Sequence, residues 1–113
     1  MIKNKINFAD FEKIDMRIGT IINASLNEKA RKPSYILEID FGNEIGIKKS
    51  SAQITNYNIE ELINKKIVAV CNFEIKNIAG IESEVLVLGA INHLGNVILL
   101  KSDDDVNNGD SIA

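Results

Sequence analysis

From Ile14 to Ala24 the chain alternates, with Ile14, Met16, Ile18 and Ile22 on one side and Asp15, Arg17 and Asn23 on the other. A period of two marks a strand with one buried face, so this segment is read as a long first strand. Gly19 in its interior suits a bulge or sharp coil, the device that bends a strand around a small barrel. After a polar loop holding the only proline, Pro33, the alternation resumes at Tyr35, Leu37, Ile39 and Phe41, opposite Glu38 and Asp40. This is the second strand. Gly42-Asn43 then precedes Glu44-Ile45-Gly46-Ile47-Lys48, and a Gly-Asn pair between alternating runs predicts a two-residue hairpin joining strands two and three.

Caps predict two short helices. Asn7 offers a side-chain acceptor ahead of Phe8-Ala9-Asp10-Phe11, Asp10 complements the helix dipole, and Ile6 and Phe11 stand at staple positions. Asn58 precedes Ile59-Glu60-Glu61-Leu62 with Glu61 at the third helical position, and Tyr57 with Leu62 forms a second staple. Ile67 to Phe73, Val85 to Leu88 and Val97 to Leu100 are apolar runs too short for most helices, as expected of strands buried on both sides. Gly95-Asn96 and Asn107-Asn108-Gly109 read as turns. Five or six strands, with a short helix between the third and fourth and no long strand-helix alternation, predict an all-β protein. The best match is an OB-fold five-stranded β-barrel with short helices; periodicity alone fits a β-sandwich as well. A chain of 113 residues supports one core, so residues 1–113 are expected to form a single domain.

Charge narrows the partners. A net charge of −3 gives no general attraction for phosphates, so any RNA contact has to be local. The cations do cluster, at Lys29, Arg31 and Lys32, at Lys48 and Lys49, and at Lys65 and Lys66; on charge alone these are solvated surface groups. The single cysteine, Cys71, allows neither a disulfide framework nor a CxxC motif within the chain. Met1 to Phe8 lacks a continuous apolar stretch, so neither a signal peptide nor a membrane span is expected. A cytoplasmic protein without membrane insertion is the expectation.

The chemical inventory points away from catalysis. His93, the only histidine, lies in a turn without cysteine partners. Cys71 reads as a small core hydrophobe whose burial raises the thiol pKa. Asp103-Asp104-Asp105 lacks the alternating ligands and distal Glu of a calcium loop, and the glycines never assemble into a phosphate-cradling motif. No catalytic residue, metal ligand or cofactor is assigned. Lys48-Lys49-Ser50-Ser51-Ala52-Gln53-Ile54 does stand out: its cations, hydroxyls and amide suit a phosphate, a sugar or an extended peptide backbone, or else a hydrogen-bonded turn.

Those residues also carry a resemblance. Asp15-Met16-Arg17-Ile18-Gly19-Thr20-Ile21, Ala30-Arg31-Lys32-Pro33, Ile39-Asp40-Phe41-Gly42, Ile45 to Ile54, Val70-Cys71-Asn72-Phe73 and Ile78 to Gly89 resemble, in order and spacing, the successive blocks of CsaA proteins across nearly the whole chain. The resemblance implies an OB-fold barrel of the tRNA-binding-domain superfamily, shared with C-terminal domains of some aminoacyl-tRNA synthetases, with N- and C-terminal extensions forming a homodimer. It further implies an export-related chaperone that binds unfolded precursor proteins and works with export machinery, with tRNA as the alternative ligand of the same barrel face. The residues it assigns to that face are Arg31, Lys32, Lys48, Lys49, Ser50, Ser51, Gln53, Asn72, Lys76, Ser83 and Glu84. Glu74-Ile75-Lys76-Asn77-Ile78, where relatives often carry more prolines and basic residues, and the negative net charge favour the chaperone over the tRNA binder.

Overall fold

The computed structural model describes residues 1–113. Its elements are α1 (Phe8–Glu12), β1 (Met16–Leu26), β2 (Tyr35–Asp40), β3 (Ile47–Ala52), α2 (Ile59–Leu62), β4 (Lys66–Val70), β5 (Lys76–Ile78), β6 (Ile81–Ser83), β7 (Leu86–Val87), β8 (Gly89–Ile91) and β9 (Val97–Leu99). Five strands form an antiparallel sheet in the order β3-β2-β1-β4-β7, coiled into the nearly closed barrel of an OB-type all-β fold. β1 makes this possible by serving two neighbours: residues 16–20 pair with β4 and residues 20–26 with β2, with a register shift between Ile21 and Asn23. The bulge therefore sits beside Ile22, not at Gly19 as the sequence suggested. Gly19 instead makes room for the core. A Cβ there would stand 2.6 Å from Ile39 Cγ2 and 2.7 Å from Phe41 Cε1, so its bare backbone admits these two side chains.

The β2–β3 connection also differs from expectation. Gly42 and Gly46 both take positive φ, and the Phe41 N–H donates to the Gly46 carbonyl at 3.0 Å. The turn thus spans Gly42–Gly46 in place of a two-residue Gly-Asn hairpin, and β3 starts only at Ile47. It then continues through Ser50, Ser51 and Ala52, a mainly polar stretch expected to leave the strand. Ser50 is small enough to enter the wall and is 1% exposed. β4, in contrast, stops at Val70, and Phe73 is exposed rather than buried in the strand.

Ile21, Leu37, Ile39, Phe41, Leu62 and Ile67 are the centre of the core, each worth about 1.5–3 kcal/mol on removal from water. Leu62 arrives there from α2, which closes one end of the barrel, with Tyr57 packed against the same cluster. The Asn58 N–H donates to Glu61 Oε1 at 2.9 Å, the anticipated half of a capping box. α1 buries nothing; Ile6 remains exposed instead of stapling onto Phe11, which pairs with Phe8 at 6.0 Å between ring centroids.

Two further hairpins, β5–β6 and β8–β9, flank the barrel. The first went unread in the sequence. It turns at Ala79-Gly80 with φ of 49° and 83°, the twist a two-residue hairpin prefers. Beyond β9 the tail returns to its own barrel. The Gly109 N–H donates to the Ile18 carbonyl at 2.8 Å, the Ile112 N–H to the Met16 carbonyl at 3.1 Å, and Thr20 Oγ1 to Asn108 Oδ1 at 2.7 Å. No helix is long and apolar enough to cross a membrane.

Candidate binding face

The barrel closes where β3 meets β6 and the residues after it, and polar side chains make the seam. The Glu84 N–H donates to the Lys49 carbonyl and the Lys49 N–H to Glu84 Oε2, both at 2.8 Å. The Ser51 N–H donates to Ser83 Oγ at 3.0 Å. These hydroxyl and carboxylate groups stand in for a continuous ladder between strands too divergent to pair. Four residues assigned to the binding face, Lys49, Ser51, Ser83 and Glu84, thus hold the barrel shut, and what they offer a ligand is what those bonds leave free.

Three clefts border the seam, and two of them meet. One, of about 520 Å³, is lined by Lys29, Arg31 and Lys32 from the β1–β2 loop, Ser51 and Gln53 from the end of β3, and Ile78 with Ala79 from the hairpin. The loop is held by the Asn27 N–H donating to the Ser34 carbonyl at 3.0 Å and the Lys29 N–H to Asn27 Oδ1 at 3.2 Å. Ser34 lines this cleft, and its Oγ is buried without a hydrogen-bond partner. Such an orphan costs about 1–3 kcal/mol unless something satisfies it. The second cleft, of about 230 Å³, is lined by Phe73, Ile78, Val85 and Leu86 together with Ser51, Ser83, Lys76, Glu74 and Glu84. Phe73 and Leu86 are about half exposed. These two clefts share Ser51 and Ile78, so one is basic, one is apolar, and they meet.

Of the predicted face, Arg31, Lys32 and Gln53 belong to the basic cleft and Lys76 to the apolar one. Lys49 and Glu84 line a third, acidic hollow with Glu38 and Glu82 on the other side of β6. Lys48 borders none of these clefts. Ser50 is sealed in the wall. Asn72 is a clamp: its Oδ1 accepts the Asp15 N–H at 2.9 Å and its Nδ2 donates to the Lys13 carbonyl at 2.7 Å, fixing the link from α1 to β1. Sequence reasoning missed Ser34, Phe73, Ile78 and Leu86. Phe73 was hidden because its apolar run was read as one buried strand, and Ser34 carries no sequence signal.

The remaining chemistry is structural. Cys71 Sγ donates to the Ala69 carbonyl, and burial, with the nearby Asp15 charge, pushes the thiol up to about 11. Hydrogen bonding to Asp15 at 2.6 Å holds the Arg17 guanidinium above its ordinary pKa, while its Nη1 donates to the Gly109 carbonyl. His93 is exposed in the loop between β8 and β9. Ser102 Oγ donates to the Asp104 carbonyl and the Asp105 N–H to Asp104 Oδ1, a self-contained acidic turn.

Residues 16–111 match the family model described as a putative tRNA binding domain. The chain is similar to the CsaA chaperone protein of Picrophilus torridus, at 55% identity and a TM-score of 0.92, covering 96% of this chain and 100% of that one. It is similar to the chaperone CsaA of Bacillus anthracis at 50% identity and a TM-score of 0.91, covering 97% and 100%. It is also 33% identical to the methionine–tRNA ligase of Methanococcoides burtonii over 97% of this chain, which spans only 16% of that enzyme.

Proposed function

The chain belongs to the tRNA-binding-domain family and, within it, to the CsaA chaperones; from this premise we propose that residues 1–113 act as one non-enzymatic binding module whose ligand is an extended segment of an unfolded precursor polypeptide. The observation that carries this reading is the junction of the apolar cleft with the basic one. Phe73 and Leu86 offer apolar area to client side chains. Removing both side chains from water contributes on the order of a few kcal/mol before the cost of ordering the client, so each engagement is weak and reversible.

Weak sites gain from repetition. Met1, Ile2, Ile6 and Phe8 at one end of the chain, with Ile91 and Leu94 in the β8–β9 hairpin, are exposed apolar side chains that suit a twofold interface. A homodimer would present two copies of the face to one long client, raising avidity without new contacts. The protein acts in the cytoplasm and passes its clients to the export machinery. Phe73→Ser combined with Leu86→Ser is expected to abolish most of its suppression of aggregation of a denatured client in a light-scattering assay, while Arg31→Ala combined with Lys32→Ala retains most of it. The reverse pattern contradicts the proposal.

A second reading, tRNA binding, has its own support in the cations of the basic cleft, Lys29, Arg31 and Lys32. Phosphate oxygens would suit all three. The cleft contains no aromatic residue for a base to stack on, which favours backbone contact without sequence readout.

A further inference from the structure

On the reading that unfolded chain is the ligand, we propose that the client segment binds as an added β-strand along the outer edge of β5, main chain to main chain. β5 has one neighbouring strand, β6. Across the Ala79-Gly80 turn, Ile78 pairs with Ile81, Asn77 with Glu82 and Lys76 with Ser83. In an antiparallel hairpin of this loop length the pairs alternate, so Ile78–Ile81 and Lys76–Ser83 exchange hydrogen bonds and Asn77 turns its N–H and C=O outward. The Asn77 side chain does not cover them; its Oδ1 accepts the Gly80 N–H at 3.2 Å and braces the turn.

The edges of β9, β3 and the start of β1 are answered. In β9, which has the same alternation, the Val97 carbonyl accepts from Asn56 Nδ2 at 3.2 Å and the Leu99 N–H donates to Tyr57 Oη at 3.1 Å. On β3, Lys49 and Ser51 are bonded to Glu84 and Ser83. The start of β1 is bonded by the tail. No side chain or tail serves Asn77 in this way.

What borders the edge defines the occupant. Lys76 and Ile78 line the apolar cleft with Phe73, Val85 and Leu86, and the Ile78-Ala79 end opens onto Lys29, Arg31 and Lys32. The fitting partner is an extended polypeptide with apolar residues at alternate positions and a carboxylate beyond them, reaching the cations. Main-chain pairing makes binding tolerant of sequence, and alternate side chains set the preference. The edge is only three residues long and carries Lys76, features that discourage pairing between copies while leaving room for a transient strand.

The test uses the intact protein and a short fluorescent peptide that alternates Leu and Ser and ends in Glu. Anisotropy should report binding. Methylating alternate peptide nitrogens on one edge should weaken it by roughly tenfold or more, the loss of one to two backbone hydrogen bonds, while methylating the other edge leaves it within about twofold. Asn77→Pro removes the outward N–H without removing a ladder bond and should weaken binding similarly, its fold checked by the amide NMR spectrum; Asn77→Ala, which loses only the side-chain brace on the Gly80 N–H, should bind within about twofold of the wild type. Amide exchange at Asn77 in the native protein should slow when peptide is bound. Binding that is sensitive to Phe73→Ser but indifferent to methylation on either edge overturns strand addition and leaves the chaperone reading standing. An absence of peptide binding overturns both.

Discussion

Ser83 and Glu84 show how a side chain can be recruited for architecture while lying on a face suited to ligands. Their bonds to β3 close a seam that backbone pairing leaves open, so a substitution there acts on barrel and binding together. Arg31, Lys32 and Gln53 carry no such duty and report on binding more cleanly. Cys71 offers a residue-scale check on burial. With its thiol at about 11 against an ordinary value near 9, iodoacetamide should alkylate the native protein at neutral pH roughly a hundredfold more slowly than the unfolded chain. The raised value means the folded state holds the proton more tightly. Its contribution to stability is therefore complete below the unfolded pKa and is lost as pH rises through about 11. Equal alkylation rates at neutral pH would contradict the half-buried, protonated thiol. The sequence already cast Cys71 as a core hydrophobe, because an isolated cysteine in a β-branched run has no polar company. The clamp that Asn72 makes is not legible in the sequence, because its partners Lys13 and Asp15 lie far away along the chain.

Among the elements, alternation in β1 and β2 located the barrel wall, and the Asn-led caps located both helices. Long-range accommodation was less legible. Gly19 looked like a bulge and is instead a point of close approach between β1 and the Ile39 and Phe41 side chains of the β2 end. Gly19→Ala should therefore lower the stability of the fold by about 1–3 kcal/mol, read as a reduced denaturation midpoint with an unchanged slope. A midpoint equal to the wild type would show that the core yields freely and that the glycine is not required. The β5–β6 hairpin escaped notice because Lys76 to Ser83 alternates weakly and its turn uses Ala79, a residue seldom chosen for positive φ. The extension of β3 through Ser50 and Ser51 is hidden for a related reason: their polarity suggests a segment outside the strand, yet Ser50 is small enough to be buried in the wall and the Ser51 N–H donates to Ser83 Oγ.

For the protein taken entire, the fold class followed from strand count and the place of α2, and the basic loop was visible as a charge cluster. The apolar half of the binding face was not visible, because it is assembled from Phe73, Ile78, Val85 and Leu86 on different elements. That half weighs against a purely electrostatic ligand site, as does a net charge of −3. Both observations favour unfolded chain as the ligand of this face. The decisive experiment is a fluorescence anisotropy titration of a labelled unfolded precursor polypeptide, repeated at low and near-physiological salt with bulk tRNA as competitor. A chain-binding face gives binding that changes little with salt and is not displaced by tRNA at comparable concentration. Failure to bind the polypeptide, or displacement by tRNA with steep loss of affinity as salt rises, would rule that ligand out and make the basic cleft an RNA site.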